Sequence, residues 1–395
     1  MFNSTKSASR PLEGIKILEL ARVLAGPWCG QLLSDLGADV IKIERPGAGD
    51  DTRSWGPPFV AAPDGSHFDA SYFHACNRGK RSIEVDLAKP EGQARVRALA
   101  AEADVVIENY KVGGLARYGL DYPSLKAVND GLIYCSITGF GQTGPYAERP
   151  GYDFVIQAMG GLMSITGEIG RPPQKAGISV ADIFTGLYSA VAILAALEQR
   201  HRTGKGAHID MALLDTQVAV LGNQALNWMT SGVVPSQMGN GHFNLVPYQS
   251  FPTRDGELVI AVGNDRQYAS LCETLGVAVR PEHATNALRV ADREGLIAWL
   301  SDLTRSWDGQ LLADRLEAVG VPAGPINRID QVFDDPQVRA RGMQIEARGD
   351  RADIPGVASP IVIDGQRMVK AVASPRLGQH NGLWDDIAEG AGWPD

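Results

Sequence analysis

Ile15-Lys-Ile-Leu-Glu-Leu20 and Val40-Ile-Lys-Ile43 are short apolar runs, and the chain between them decides the fold. Gly26-Pro27 breaks the first run and places Pro27 at the first position of a helix, where its missing N–H is not needed. Leu32, Leu33 and Leu36 share one face of that helix, and Gly37 ends it. Strand, helix and strand over residues 14–44 form a βαβ unit, the building block of parallel α/β sheets. The same grammar runs outward. A helix is expected over residues 91–102, a strand over 105–107 ending in Glu108-Asn109, a helix near 122–128 and a strand over 132–137. After the Gly/Pro-containing residues 150–179 come an apolar helix over 183–201 and a short strand over 207–211. Open sheets of this kind hold ligands in the loops beyond their strand ends.

The pattern then changes. Residues 251–262 read as a hairpin around Asp255-Gly256, followed by helices near 266–275, 294–303 and 309–319. The expected fold class is α/β: a Rossmann-like large domain plus a smaller α+β domain. The first part of the large domain covers residues 1–212, a linker 213–245, the small domain 246–330, and a return linker with the C-terminal part of the large domain 331–395. Within the linker, residues 213–230 look helical. Residues 231–247, with Gly239, Gly241 and two prolines, read as an interdomain connection or a mobile loop.

Composition narrows the function. With 44% hydrophobic and 21% charged residues, the 395-residue chain has an ordinary globular balance and enough length for two cores. A net charge of −9 argues against a general polyanion binder, though not against one local basic pocket. Cys29, Cys76, Cys135 and Cys272 are widely spaced, which reads as reduced thiols in a cytoplasm-like compartment and not as disulfides or a zinc site. No histidine has metal-ligand spacing, so no metal is expected. Residues 1–10 lack an apolar core of signal-peptide length, and the apolar stretch 183–197 is better explained as a buried helix than as a membrane span.

Three readings of the chemistry compete. Glu44, ending the second strand, stands where a nicotinamide enzyme places its ribose-binding carboxylate. The first turn, however, reads Ala25-Gly-Pro-Trp-Cys-Gly30 instead of GxGxxG, and Trp28 would crowd a pyrophosphate. A binding module without chemistry is compatible with the composition. Acyl-CoA chemistry is the third reading, and several segments converge on it.

Those segments are Leu12-Glu-Gly-Ile-Lys-Ile-Leu-Glu19, Ala25-Gly-Pro27, Gly37-Ala-Asp-Val-Ile-Lys-Ile-Glu-Arg-Pro46, Gly49-Asp50, Asn77-Arg-Gly-Lys-Arg-Ser-Ile-Glu-Val-Asp86, Glu108-Asn109, Ser136-Ile-Thr-Gly-Phe-Gly141 and Ala181-Asp-Ile183. In that order and spacing the chain, from Pro11 to about Gln379, resembles the family III CoA-transferases. The resemblance implies a two-domain subunit and a homodimer of interlocked, ring-like chains. It also implies a substrate pair of acyl-CoA and free carboxylic acid, with no cofactor beyond coenzyme A itself. Neither nucleic acid nor membrane is an expected partner.

Asp182 matches the family's nucleophile. Read locally it stands just before the apolar helix, a normal N-cap position, and a helix N-terminus would hold its carboxylate ionised. The resemblance also carries CoA contacts to Val23, Ala25, Arg45, Val85, Asn109, Tyr110, Lys111 and Arg117, with residues 85–88 flanking the adenine. Trp55, Tyr72 and Phe140 match positions near the acyl pocket. Gly239, Asn240, Gly241 and His242 form a candidate lid, equally readable as a flexible linker. Residues 241–251, 288–290 and 324–327 look most like the succinyl-CoA:glutarate branch, with His242 and Asn244 as partners for a remote carboxylate. The 2-methylacyl-CoA racemases share the fold, but their Gly-His-Asp setting is Gly151-Tyr152-Asp153 here, and tyrosine is a poor base at neutral pH.

Overall fold

The computed structural model describes residues 10–61, 67–384 and 393–394, which fall into two compact units. The first unit holds a six-stranded, wholly parallel sheet built from β1 (Lys16–Glu19), β2 (Asp39–Glu44), β3 (Arg81–Glu84), β4 (Val105–Glu108), β5 (Ile133–Thr138) and β6 (Ala207–Ala212). The strand order is 3-2-1-4-5-6, so the chain reverses direction across the sheet between β1 and β4. Ile17, Val105, Ile107 and Ile133 are fully buried on one face, and Leu18, Ile41, Ile83 and Val106 on the other. A strand covered on both faces reads as a continuous apolar run, which is why β1, β2 and β4 are visible in the sequence.

Helices α1 (Ala25–Asp35), α2 (Pro90–Glu102), α3 (Asp153–Met159) and α4 (Val180–Thr203) belong to this unit. Helix α4 is the one described helix long and apolar enough to cross a membrane. One face, including Ala181, Ala190, Ile193 and Leu197, lies in the sheet's core. It meets α1 so closely that a Cβ on Gly186 would stand 2.6 Å from the Ala25 carbonyl oxygen. The opposite face leaves Phe184, Leu187, Tyr188, Val191 and Leu194 exposed at i, i+3, i+4, i+7 and i+10.

Strand β3 is the edge of the sheet, and the chain's C-terminal segment covers it. The Ser82 N–H donates to His380 Nδ1 at 3.1 Å, and the His380 N–H returns to the Ser82 carbonyl at 2.9 Å. Asn381 likewise accepts from the Glu84 N–H at 2.8 Å and donates to the Glu84 carboxylate at 3.0 Å. Exposed edge groups that would otherwise recruit another strand are thereby paired.

The second unit comprises residues 163–175 and 227–335. Its three-stranded antiparallel sheet joins β7 (Tyr248–Pro252), β8 (Glu257–Ala261) and β9 (Ala323–Pro325) in the order 9-8-7, with the hairpin turning at residues 253–256. Helices α5 (Asp265–Thr274), α7 (Arg293–Thr304) and α8 (Gly309–Ala318) supply Leu271, Leu296, Leu300, Leu312 and Leu316 to its core, and α6 (Asn286–Ala291) packs Val290 against it. The division falls after Leu226, inside the expected 213–245 linker, and residues 163–175 cross to the second unit. Residues 231–247 are no interdomain linker. The Gly239 N–H donates to the Gly167 carbonyl at 3.0 Å and the His242 N–H to the Tyr248 carbonyl at 3.0 Å, tying this stretch into its own unit.

Candidate active site

The reversal between β1 and β4 opens a crevice at the carboxyl ends of the strands, the place where open α/β sheets bind ligands. A cavity of about 740 Å³ fills it, walled by the loops after β1, β4 and β5 and by the start of α4. Val23, Ala25, Asn109, Tyr110, Lys111, Arg117 and Asp182 all line it. Seven positions scattered over the chain thus converge on one space.

The loop after β1 is held under strain. Val23 has φ +74°, a left-handed conformation that a β-branched residue strongly resists. Its N–H donates to both Asp50 carboxylate oxygens at 3.2 Å, and Asp50 is fixed by the Lys42 ammonium at 2.9 Å. Lys42 also meets Glu19 at 3.0 Å, and Glu19 in turn meets Lys80 at 2.8 Å, all fully buried. Burial opposes the charge on Lys42, yet the Asp50 and Glu19 carboxylates beside it raise its pKa above the ordinary lysine value. Gly30 leaves the space that this pairing needs, since a Cβ there would stand 1.9 Å from a Glu19 oxygen. The glycine of the first turn therefore accommodates a carboxylate and not a pyrophosphate.

Glu44 belongs to the same scaffold. Its two oxygens accept from Arg53 at 2.8 and 2.6 Å, and the residue is buried. With the Asp50 N–H at 2.9 Å and the Ser82 hydroxyl at 2.8 Å donating to the same two oxygens, this carboxylate has no acceptor position left to offer a ribose, which removes the nicotinamide reading. Asn109, by contrast, works at the cavity wall. It accepts from the Arg22 N–H at 3.0 Å and donates to the Arg22 carbonyl at 2.6 Å, locking the loop after β4 to the loop after β1. Beneath it burial pushes the Glu108 carboxyl up to about 7, with Ser136 and the Tyr110 N–H as its hydrogen-bond partners.

Asp182 is not the N-cap of α4. The helix starts at Val180, which puts Asp182 in the first turn, and Ser179 at the cap position makes no capping bond. The cap comes from a distance: Asp153 Oδ1 accepts from the Ala181 N–H at 2.8 Å and the Asp182 N–H at 3.4 Å. Gln157, fully buried one turn along α3, donates to Asp153 Oδ2 at 2.6 Å and accepts from the Ala176 N–H at 2.9 Å. Because Asp153 takes the positive end of the helix, Asp182 does not have it to itself. Burial, and then the Asp153 charge, push the Asp182 carboxyl up to about 7. The expectation of a carboxylate stabilised by its helix is therefore reversed.

Gly139 and Gly151 bring the two cavity loops into backbone contact. A Cβ built on Gly139 would stand 2.5 Å from the Gly151 Cα, and one on Gly151 would stand 2.4 Å from the Gly139 Cα. This crossing delivers Tyr152 to the cavity wall and Asp153 to the helix end.

The remaining expected residues divide. Tyr72 is placed beside Asp182: it shares a hydrogen bond with Ser179, and burial, then the Asp182 charge, raise its phenol pKa. Trp55 packs edge-on against Tyr72, with ring centroids 5.3 Å apart. Phe140 packs on the core and against Tyr146, and does not line the cavity. Arg45 and Val85 lie beyond β2 and β3, on the far side of β1 from the crevice; Arg45 is exposed and Val85 buried in the core. Gly239, Asn240 and Gly241 line a separate cavity of about 850 Å³ in the second unit. His242 and Asn244 brace backbone there: His242 Nδ1 accepts from the N–H groups of Asn244 and Leu245, and the Asn244 carbonyl accepts from Asn286. Sequence reasoning missed Arg149, which stacks on Tyr146 at 3.9 Å and lines the first unit's cavity. Together with Lys111 and Arg117 it supplies three cations that form no ion pair among the described residues.

The profile of CoA-transferase family III matches residues 12–381. The chain is 55% identical over 374 residues to a succinate–glutarate CoA-transferase of Agrobacterium fabrum, covering 94% of each sequence. It is 43% identical to the human succinyl-CoA:glutarate CoA-transferase, covering 94% of this chain and 84% of that one. A crystal structure of a CAIB/BAIF family protein from Brucella suis superimposes with a TM-score of 0.86 at 55% identity, covering 96% of this chain and all of that one.

Proposed function

Because this chain belongs to the family III CoA-transferases, we propose that it moves CoA from succinyl-CoA to a short dicarboxylic acid such as glutarate, through covalent intermediates on Asp182. The observation that carries the mechanism is the setting of Asp182. Among the described residues it is the one carboxylate lining the crevice that is held away from open solvent, the other, Glu148, being exposed. A raised pKa makes its ionised form more basic and a stronger nucleophile than an ordinary aspartate.

In this reading an Asp182 oxygen attacks the thioester carbonyl, the C–S bond breaks, and CoA leaves as its thiolate. The thiolate attacks the aspartyl carbonyl of the resulting anhydride and releases succinate, leaving an aspartyl-CoA thioester. The acceptor carboxylate attacks that thioester, expelling the thiolate again. Attack of the thiolate on the acceptor's acyl carbon then frees Asp182 and yields the new acyl-CoA. Electrons and atoms balance with CoA as the only carrier.

Lys111, Arg117 and Arg149 are suited to the CoA phosphates, and Arg45 with residues 85–88 lies where the nucleotide would run along the strand ends beyond the crevice. The exposed stripe of α4 from Phe184 to Leu194 supports a homodimer, since such a face is normally covered. The four buried, unpaired cysteines favour a reducing, cytoplasmic setting. No histidine lines the cavity among the described residues, so the acid–base pair of a racemase has no support there.

The test pairs succinyl-CoA with glutarate, oxalate, carnitine or a long-chain fatty acid, and reads exchanged thioesters by mass spectrometry. Glutaryl-CoA is the expected product. Hydroxylamine added during turnover should convert Asp182 to a hydroxamate, and Asp182→Asn should abolish both outcomes. Transfer to carnitine or oxalate alone rejects the substrate assignment. Alpha-proton exchange of a 2-methylacyl-CoA in heavy water, without acyl transfer, rejects the mechanism.

A further inference from the structure

A row of hydrogen bonds crosses the first unit's sheet from the crevice to its outer edge. Glu108 closes β4, and its Oε2 accepts from the Tyr110 N–H at 2.8 Å, where the loop of Asn109, Tyr110 and Lys111 leaves the strand. Ser136 stands opposite Glu108 in the β4–β5 register, and its buried hydroxyl meets the Glu108 carboxyl. The same hydroxyl lies 3.0 Å from His208 Nε2 on β6, and the exposed His208 ring stacks on Tyr122 with centroids 4.8 Å apart. Glu108 is thus the dry end of the row, 6% exposed, and His208 its wet end. No cation pairs with Glu108 among the described residues. Lys42 and Arg22, the cations that act on Tyr110, are committed to Glu19 and Asp50 and to Asp51. Tyr110, Tyr134 and Cys135 also face Glu108, and burial raises the pKa of each, so all three stay neutral. Asp121 lies beyond Tyr134, and burial lowers the His208 pKa against the pull of Asp210.

We propose that Glu108 is a proton-binding site coupled to the crevice, which takes up a proton when coenzyme A enters. Coenzyme A is a polyanion, and an unpaired negative charge buried behind the wall of its site opposes it. Protonation of Glu108 removes that opposition. It also leaves the wall in place, because a neutral carboxyl group still accepts the Tyr110 N–H through one oxygen. With its pKa raised to about 7 the group is divided between both forms at neutral pH, where a modest push moves it. The row supplies the path from solvent. A proton joins His208 Nδ1, the Nε2 proton passes to Ser136 Oγ, and the Ser136 hydroxyl proton passes to Glu108. His208 is left neutral in its other tautomer, the hydroxyl is whole, and the carboxyl has gained one proton.

This inference rests on the crevice as the CoA site, and the two fail differently. Coenzyme A is titrated by calorimetry into Asp182→Asn, where position 182 no longer titrates, and into the same chain carrying Glu108→Gln as well. The glutamine keeps an acceptor for the Tyr110 N–H and cannot ionise. Heats measured in phosphate and in Tris buffer give the protons exchanged, and those of the coenzyme's own phosphates are common to both proteins. At pH 7 the chain with Glu108 should take up roughly a third of a proton more than the chain without it. Its CoA affinity should also fall by roughly threefold or more, relative to the double variant, between pH 6 and 8.5. Ser136→Ala in the Asp182→Asn chain removes the hydrogen bond that favours the ionised form, so the pH of greatest uptake should rise. That variant decides the matter if Glu108→Gln does not fold. Equal uptake with and without Glu108, or a pH of greatest uptake unmoved by Ser136→Ala, would overturn the proton site and leave the crevice standing. Unchanged CoA affinity in both Lys111→Ala and Arg117→Ala would take the nucleotide out of the crevice and overturn both readings.

Discussion

Asp153 Oδ1 lies within hydrogen-bond distance of the N–H of Asp182, 3.4 Å away, so one aspartate caps the helix that carries the other. The two carboxylates share a single helix end, and only one of them receives its main hydrogen bond, from Ala181. With its pKa raised to about 7, Asp182 is protonated in part at neutral pH, and transfer should gain as pH rises through that value. Asp153→Asn keeps an oxygen for the Ala181 N–H but removes the charge, so the acidic limb of the pH–rate profile should move to lower pH. An unmoved limb would show that Asp153 serves the helix alone.

The same shift acts on stability with a definite sign. The folded state binds the Asp182 proton more tightly than the unfolded chain, so this group's contribution is fully present below the ordinary aspartate pKa and is lost as pH climbs to about 7. Asp182→Asn removes the ionisation. The variant should match the parent in thermal unfolding near pH 4 and exceed it at pH 8.

Lys111→Ala, Arg117→Ala and Arg149→Ala should each weaken acyl-CoA binding by roughly tenfold, at the lower end of the range for a charged hydrogen bond because all three side chains meet solvent. Arg45→Ala should have a smaller effect, since Arg45 lies outside the crevice. Calorimetry with a non-hydrolysable acyl-CoA ranks the four. A dominant Arg45 would relocate the nucleotide.

Lys42→Met should destabilise the protein by roughly 3–5 kcal/mol, because it leaves Glu19 and Asp50 buried without their shared cation. Urea titration measures this directly. Asp50→Asn keeps an acceptor for the Val23 N–H, and should raise the KM for acyl-CoA more than it lowers the unfolding midpoint.

Gly139→Ala tests the loop crossing. The added methyl meets the Gly151 Cα at 2.5 Å, and backbone cannot yield as a side-chain tip does. A loss of about 1–3 kcal/mol is expected. Activity should fall further than stability alone accounts for, as Tyr152 and Asp153 are displaced together.

Much of the first unit was legible because its strands are buried on both faces and end in loops of distinct character. β3 was not. Arg81-Ser-Ile-Glu84 has the polar look of a surface turn, and its side chains find partners far along the chain: Arg81 with Asp39 and the Pro394 carbonyl, Glu84 with Asn381. Asp182 was expected just before its helix and stands inside the first turn, because α4 begins at Val180 and its cap is supplied 29 residues earlier in sequence. Arg149 sits in irregular chain, where no periodicity points to a wall. His242 carried the composition of a ligand-binding residue and proved to be a brace for its neighbours' backbone.

The pairing of His380 and Asn381 with β3 sets a timetable for the nascent chain. The second unit has all of its residues once Asp335 has been added, while the first still awaits residues 336–395. Until His380 and Asn381 clear the ribosome, the edge of the parallel sheet stands open, and a chaperone that binds extended segments has its natural target there. A stop codon placed before His380 would make that waiting state permanent.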